Sequence, residues 1–140
     1  MNREKLKALY LKYELTSEDI FTKEIGFGNK KKIFTIITRS GIEKIQGKSA
    51  IEINYEVIKC EPNFAVIKAT AFLYVKDLQL NVETFGSALK GADYKDGNCQ
   101  SWYVVEMAEK RALSRAVLKL TGFYELGVFG EDESDDFKNK

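Results

Sequence analysis

The chain has 140 residues, with 22 Lys and Arg against 21 Asp and Glu, no histidine, one proline and two cysteines. That length suits one domain, and a hydrophobic fraction of 44% lets a single core form without disulfide or metal staples. Lacking histidine, the chain can build no Ser–His–Asp triad, Cys–His pair or His-based zinc site, and two cysteines cannot supply four thiolates.

Cys60 and Cys99 stand far apart in a sequence with no disulfide-scaffold pattern, which points to a reducing, cytoplasmic setting. Neither a leader-like apolar stretch nor a run of the ~20 apolar residues a membrane helix needs is present, so no membrane partner is expected. The net charge of +1 conceals a split. Residues 125–140 carry six acids and two bases, while the rest of the chain has a net charge of +5. Residues 26–48 alone are also +5. A basic body with an acidic tail favours an anionic partner for the body.

In chain order, residues 3–12 read as a short helix, with Leu6 and Tyr10 as an i,i+4 pair. Residues 16–21 read as a turn or a further helical turn. A basic loop follows at 26–32, then a short β-run at 33–37. Ser40 with Glu43 three residues later makes a capping box that opens a helix over 41–46, and Gly47 is expected to stop it. Ile51, Ile53, Tyr55 and Val57 alternate with polar residues, the period of a half-buried strand. Glu61-Pro62-Asn63 turns the chain into 64–75, apolar on both faces and therefore a central strand. Lys76-Asp77 turns it again into a strand over 78–84. Residues 86–100 lack periodicity and read as a loop. The strongest helix covers 101–121, where Val105, Ala108, Ala112, Ala116 and Leu120 keep the helical repeat and Gly122 serves as C′ cap. Residues 1–130 thus form one α+β domain, in which a three-stranded antiparallel β-meander is packed by a long C-terminal helix (a β-β-β-α core), with short N-terminal helices. Residues 131–140 form an acidic tail whose composition predicts disorder.

The chain has no Walker loop, and Gly26-Phe27-Gly28 lacks the rest of a dinucleotide fingerprint. Ser40, Ser101 and Cys99 have no histidine base. Glu52, Glu56, Glu83, Glu106 and Glu109 leave a small Mg²⁺-dependent nuclease as a formal alternative, although they show no recognisable nuclease spacing. The binding features are stronger. Arg111, Arg115 and Lys119 recur at i, i+4 and i+8 as one basic stripe on the long helix, with Lys110 beside it. Guanidinium forks on a rigid helix suit phosphate oxygens. Lys30, Lys31 and Lys32 with Phe27 interleave cations and a ring, the combination that holds a single-stranded backbone and stacks on a base.

Three segments together resemble the single-strand annealing proteins of phages and archaeal viruses, the superfamily that includes the eukaryotic recombination mediator Rad-fifty-two. The first is Ile37-Thr38-Arg39-Ser40-Gly41-Ile42-Glu43-Lys44-Ile45. The second is Val66-Ile67-Lys68-Ala69-Thr70-Ala71, leading to Glu83-Thr84-Phe85-Gly86-Ser87-Ala88. The third is Met107-Ala108-Glu109-Lys110-Arg111-Ala112-Leu113-Ser114-Arg115-Ala116-Val117. The resemblance spans most of residues 33–122 and implies a homo-oligomeric ring or filament that binds single-stranded DNA and anneals complementary strands in recombination. No cofactor is implied. It would place binding on Arg39 and Lys44 around the short helix and on Lys110, Arg111 and Arg115 of the long one. The acidic tail would compete for the groove or dock replication and recombination proteins. A non-catalytic protein-interaction module of phage origin is the competing expectation; if phage-encoded, the chain would work in the bacterial cytoplasm.

Overall fold

The computed structural model describes residues 3–26, 28–30, 32–91, 97–99 and 101–131, the side chains of Ile25 and Lys30 excepted. Phe27, Lys31 and the acidic segment from 132 onward lie outside the described residues. The architecture is α+β. Helix α1 spans Arg3–Lys12, strand β1 Ile20–Ile25, β2 Lys32–Ile37, helix α2 Arg39–Ser49, β3 Glu52–Glu61, β4 Phe64–Val75, β5 Leu78–Leu89, helix α3 Val104–Thr121 and β6 Val128–Gly130. Among the described residues, no helix is long and apolar enough to cross a membrane.

The meander is present as an antiparallel sheet of order β3-β4-β5. Short turns between apolar runs select this pairing, since consecutive strands so joined can only return alongside one another. Helix α3 lies across one face, mainly over β4 and β5. Ala65, Ile67, Ala69 and Ala71 of β4 meet Ala108, Ala112 and Ala116 of α3 in the core. Small residues on both sides let helix and sheet approach closely. Gly86 marks the tightest point: a Cβ there would overlap the Ala108 carbonyl oxygen and lie 2.5 Å from the Ala112 amide nitrogen. Strand β5 therefore runs on to Leu89, where the sequence pattern ended at 84 and loop composition began. A glycine inside a strand marks close backbone approach as readily as a break.

β3 departs from its expected half-burial. Tyr55 is 43% and Val57 58% exposed, because α3 leans toward β4 and β5 and leaves the edge uncovered. On the opposite face of the meander, Lys68 reaches Glu83 at 3.5 Å and Glu56 at 3.9 Å, tying the three strands with exposed pairs of small individual worth.

A second sheet, of order β1-β2-β6, meets α3 through its edge strand β6. Residues 20–25, partly read as a helical turn, instead pair antiparallel with β2. Three residues of β6 pair parallel with β2 after more than ninety intervening residues, a contact without a local signature. Gly130 sits where a Cβ would crowd Ser114 Cβ at 2.8 Å, so β6 packs directly on α3.

α2 starts and ends differently from the expected 41–46. Its N-cap is Thr38, whose hydroxyl accepts from the Gly41 amide at 3.2 Å. Ser40 is thus inside the first turn, and its hydroxyl donates to Asp19 Oδ1 at 3.0 Å. Gly47 does not stop the helix, which continues to Ser49 and closes on Ala50 in the left-handed region (φ 52°). Asp19, 3% exposed, is the clamp between β1 and α2. Its Oδ2 accepts from Lys44 Nζ at 2.7 Å and from the Thr16 amide at 2.9 Å. Burial alone would raise the Asp19 pKa, but Lys44, Thr16 and Ser40 together lower it from 3.8 to about 2. A folded-state pKa below the unfolded value stabilises the fold above the unfolded pKa. That contribution is lost as pH falls from about 4 toward 2. Asp19→Asn removes the charge and is expected to cost about 2 kcal/mol at neutral pH, the loss of charged hydrogen bonds, and to flatten the acid limb of the stability curve. Urea midpoints measured across pH check both; an unchanged acid limb would remove Asp19 from the account.

Candidate nucleic-acid interface

The stripe expected on α3 does not point one way. Arg111 is 2% exposed, with its fork turned onto the edge of β5: Nη1 donates to the Ser87 carbonyl at 2.7 Å and Nη2 to the Asn98 carbonyl at 2.6 Å. Arg115 is half-buried, and its Nη1 donates to the Phe85 carbonyl at 2.9 Å. The reason is backbone accounting. β5 is a sheet edge, its outward carbonyls lie beneath the helix, and covered carbonyls need donors. A guanidinium supplies five N–H groups on one reach. Asn98 completes the seal: its Oδ1 accepts from the Leu89 backbone amide at 2.7 Å, and its backbone N–H donates to the Leu89 carbonyl at 3.1 Å. The signal was in the sequence, since Arg111 falls between Ala108 and Ala112 of the apolar face.

Arg39 and Lys44 on α2 are also engaged within the protein. Arg39 Nε lies 3.4 Å from Glu43 Oε1, one turn on. Burial and the nearby Glu109 carboxylate push the Tyr55 phenol above its ordinary pKa, with Arg39 pulling it the other way, so α2, β3 and α3 meet here. Lys44 holds Asp19.

Lys119 stands elsewhere. It is exposed at the last turn of α3, with Nζ 5.2 Å from the centre of the Tyr124 ring. Tyr124 meets Phe129 edge-on at 5.4 Å, and Phe129 meets Phe34 edge-on at 5.7 Å. Phe34 is two residues from Lys32 on β2, so alternation puts both on one face, and the register places Lys23 opposite Phe34. The three rings are half-buried and Lys32 is exposed. The fold therefore joins the end of the helical stripe to the basic loop through a continuous row of rings, with a cation at either end. No family model, curated protein or solved structure matches this chain. Lys30 lies in a short 3₁₀ turn, Gly28–Lys30, ahead of β2. Arg39 follows the other end of β2, about 20 Å away along six strand residues, so the loop and α2 do not form one cluster.

Lys110 is half-buried on the side of α3 away from the meander. Seven residues after the N-cap Tyr103, it lies two turns along the helix in line with that cap. Neither Trp102 nor Tyr103 was singled out by spacing, because they precede the apolar repeat of the helix. Both are exposed, and Lys90 Nζ lies 5.1 Å from the centre of the Trp102 ring. The carboxylates considered for metal chemistry are dispersed, with Glu56 and Glu83 on either side of Lys68, and among the described residues no three Cys, Asp or Glu gather as a metal site.

Proposed function

We propose that the chain binds single-stranded DNA and promotes annealing of complementary strands as a homo-oligomer without a cofactor. The observation that carries this is the row Lys119–Tyr124–Phe129–Phe34–Lys32. Cations hold a phosphate backbone without reading sequence, and rings offer surfaces on which any base can stack. The resemblance of the three sequence segments to annealing proteins supports the same reading, as does the β-β-β-α core that holds the second and third of them. The outer edge of β3, which no strand among the described residues pairs with, offers a place for a second copy to extend the meander.

The test is the salt dependence of oligothymidylate binding, read by anisotropy, in the wild type and in Lys32→Glu with Lys119→Glu. Each phosphate contact to a single strand contributes about −0.7 to the log–log slope, so losing both should reduce the slope by about 1.4 and weaken binding at low salt. Wild-type binding in the double variant would remove this surface, and no binding by the wild type would end the reading. Annealing should proceed equally with and without EDTA, whereas Mg²⁺-dependent loss of substrate would favour the nuclease alternative. A protein-interaction module is the second reading, favoured by the bare tip of the β4–β5 hairpin. There Tyr74, Val75 and Leu78 are 59%, 47% and 62% exposed. It predicts no annealing.

A further inference from the structure

Trp102 and Tyr103 stand at the entrance to α3, 69% and 72% exposed, the barest aromatic side chains among the described residues. Their backbone is nevertheless tied down. The Tyr103 amide donates to Ser101 Oγ at 3.0 Å, Cys99 Sγ donates to the Ser101 carbonyl at 3.2 Å, and the Gly91 amide donates to the Cys99 carbonyl at 2.9 Å. The segment is thereby anchored to the end of β5, where Lys90 also sits. Exposed rings on an anchored backbone contribute little burial to the fold and lose little entropy when something lands on them.

The charge around them narrows the choice of occupant. Lys90 lies over the indole at 5.1 Å. Lys110 lies in line with the N-cap Tyr103, about 10 Å along the axis, and has no ion-pair partner among the described residues. Glu106, exposed, lies between them on that face, three residues after Tyr103 and four before Lys110, so the patch holds two cations and one carboxylate. Two exposed rings, one with Lys90 over its face, beside a net positive charge match a base with its phosphates better than an apolar peptide, which offers the cations no anion. The eighteen residues of α3 span about 27 Å, so this end is well separated from Lys119 at the other.

We propose that Trp102 and Tyr103, with Lys90 and Lys110, form a second base-stacking contact for single-stranded nucleic acid. The inference rests on the single-strand-binding reading and deepens it. Two contacts a helix length apart would hold a strand at two points, or hold two strands at once.

Trp102 is the only tryptophan in the chain, so its emission reports this site alone. End-labelled oligothymidylate is titrated with the full chain while label anisotropy and indole emission are followed together. The emission is expected to quench with the same midpoint as the anisotropy rise. Trp102→Ala should weaken binding about tenfold, as expected for loss of one stacked base, with Trp102→Phe largely restoring it. An anisotropy rise without quenching, with Trp102→Ala binding as wild type, would overturn the second contact and leave the proposed function standing. Absence of both signals would end both. An emission change on diluting the protein alone would assign the rings to a contact between copies and overturn the inference.

Discussion

Gly86→Ala is expected to destabilise the domain by about 3 kcal/mol, the upper part of the range for overpacked cores. The added methyl group would collide with the Ala108 carbonyl and the Ala112 amide, and with Arg111 Cβ at 3.0 Å. Side chains can rotate out of a clash, but helix backbone cannot without the whole of α3 lifting from the sheet. Lifting it would open the layer formed by Ala65, Ile67, Ala69, Ala108 and Ala112. Thr84, two residues away, adds to the constraint, since its hydroxyl donates to the Ala112 carbonyl at 2.7 Å and fixes the helix at that height. In thermal denaturation the loss should lower Tm by about 10 °C for a domain of this size. A variant with the wild-type Tm would mean that helix and strand do not approach as described.

Arg111→Ala should be comparably severe, at about 3–5 kcal/mol, because it leaves a cavity and strips donors from covered carbonyls of Ser87 and Asn98. Arg111→Met separates the contributions. It retains most of the volume and lacks the fork, so the stability it fails to recover measures the hydrogen bonds. The same pair of variants decides the role of the residue. A positioning role predicts loss of urea stability, with single-strand affinity retained below the transition. A variant as stable as wild type but deficient in DNA binding would return Arg111 to the phosphate contacts expected from its spacing.

The legible parts of the fold were those whose signal is local. The two-sided apolar run of 64–75 and the alanine-rich repeat expected over 101–121 each carry their period within one element, although α3 begins only at Val104, and α1 matches its expected limits. Elements defined by distant partners were missed. β6 is three residues long and exists because it pairs with β2. β1 carries Lys23 and Glu24 and shows an exposed Phe21, so its composition resembles a surface turn. The cap of α2 moved from Ser40 to Thr38 because Asp19, twenty-one residues upstream of Ser40, claims the serine hydroxyl. The candidate site followed the same rule. Spacing identified Arg111, Arg115 and Lys119 as a stripe, but only the strand beneath determines which of them turn inward. Trp102 and Tyr103 had no period to belong to.

The donors along β5 give the meander a direction. Phe85, Ser87 and Leu89 present outward carbonyls already taken by Arg115, Arg111 and the segment at Asn98 and Cys99, while among the described residues no strand pairs with the outer edge of β3. A strand arriving from a second molecule can therefore add to β3, or only to the hairpin end of β5. Pairing β3 with β3 closes at two copies. Pairing β3 with the hairpin end of β5 repeats head to tail, and the rotation per step then decides between a closed circle and an open helix. Two arginines that would otherwise be counted as ligands thus restrict the ways in which a second copy could add to this sheet.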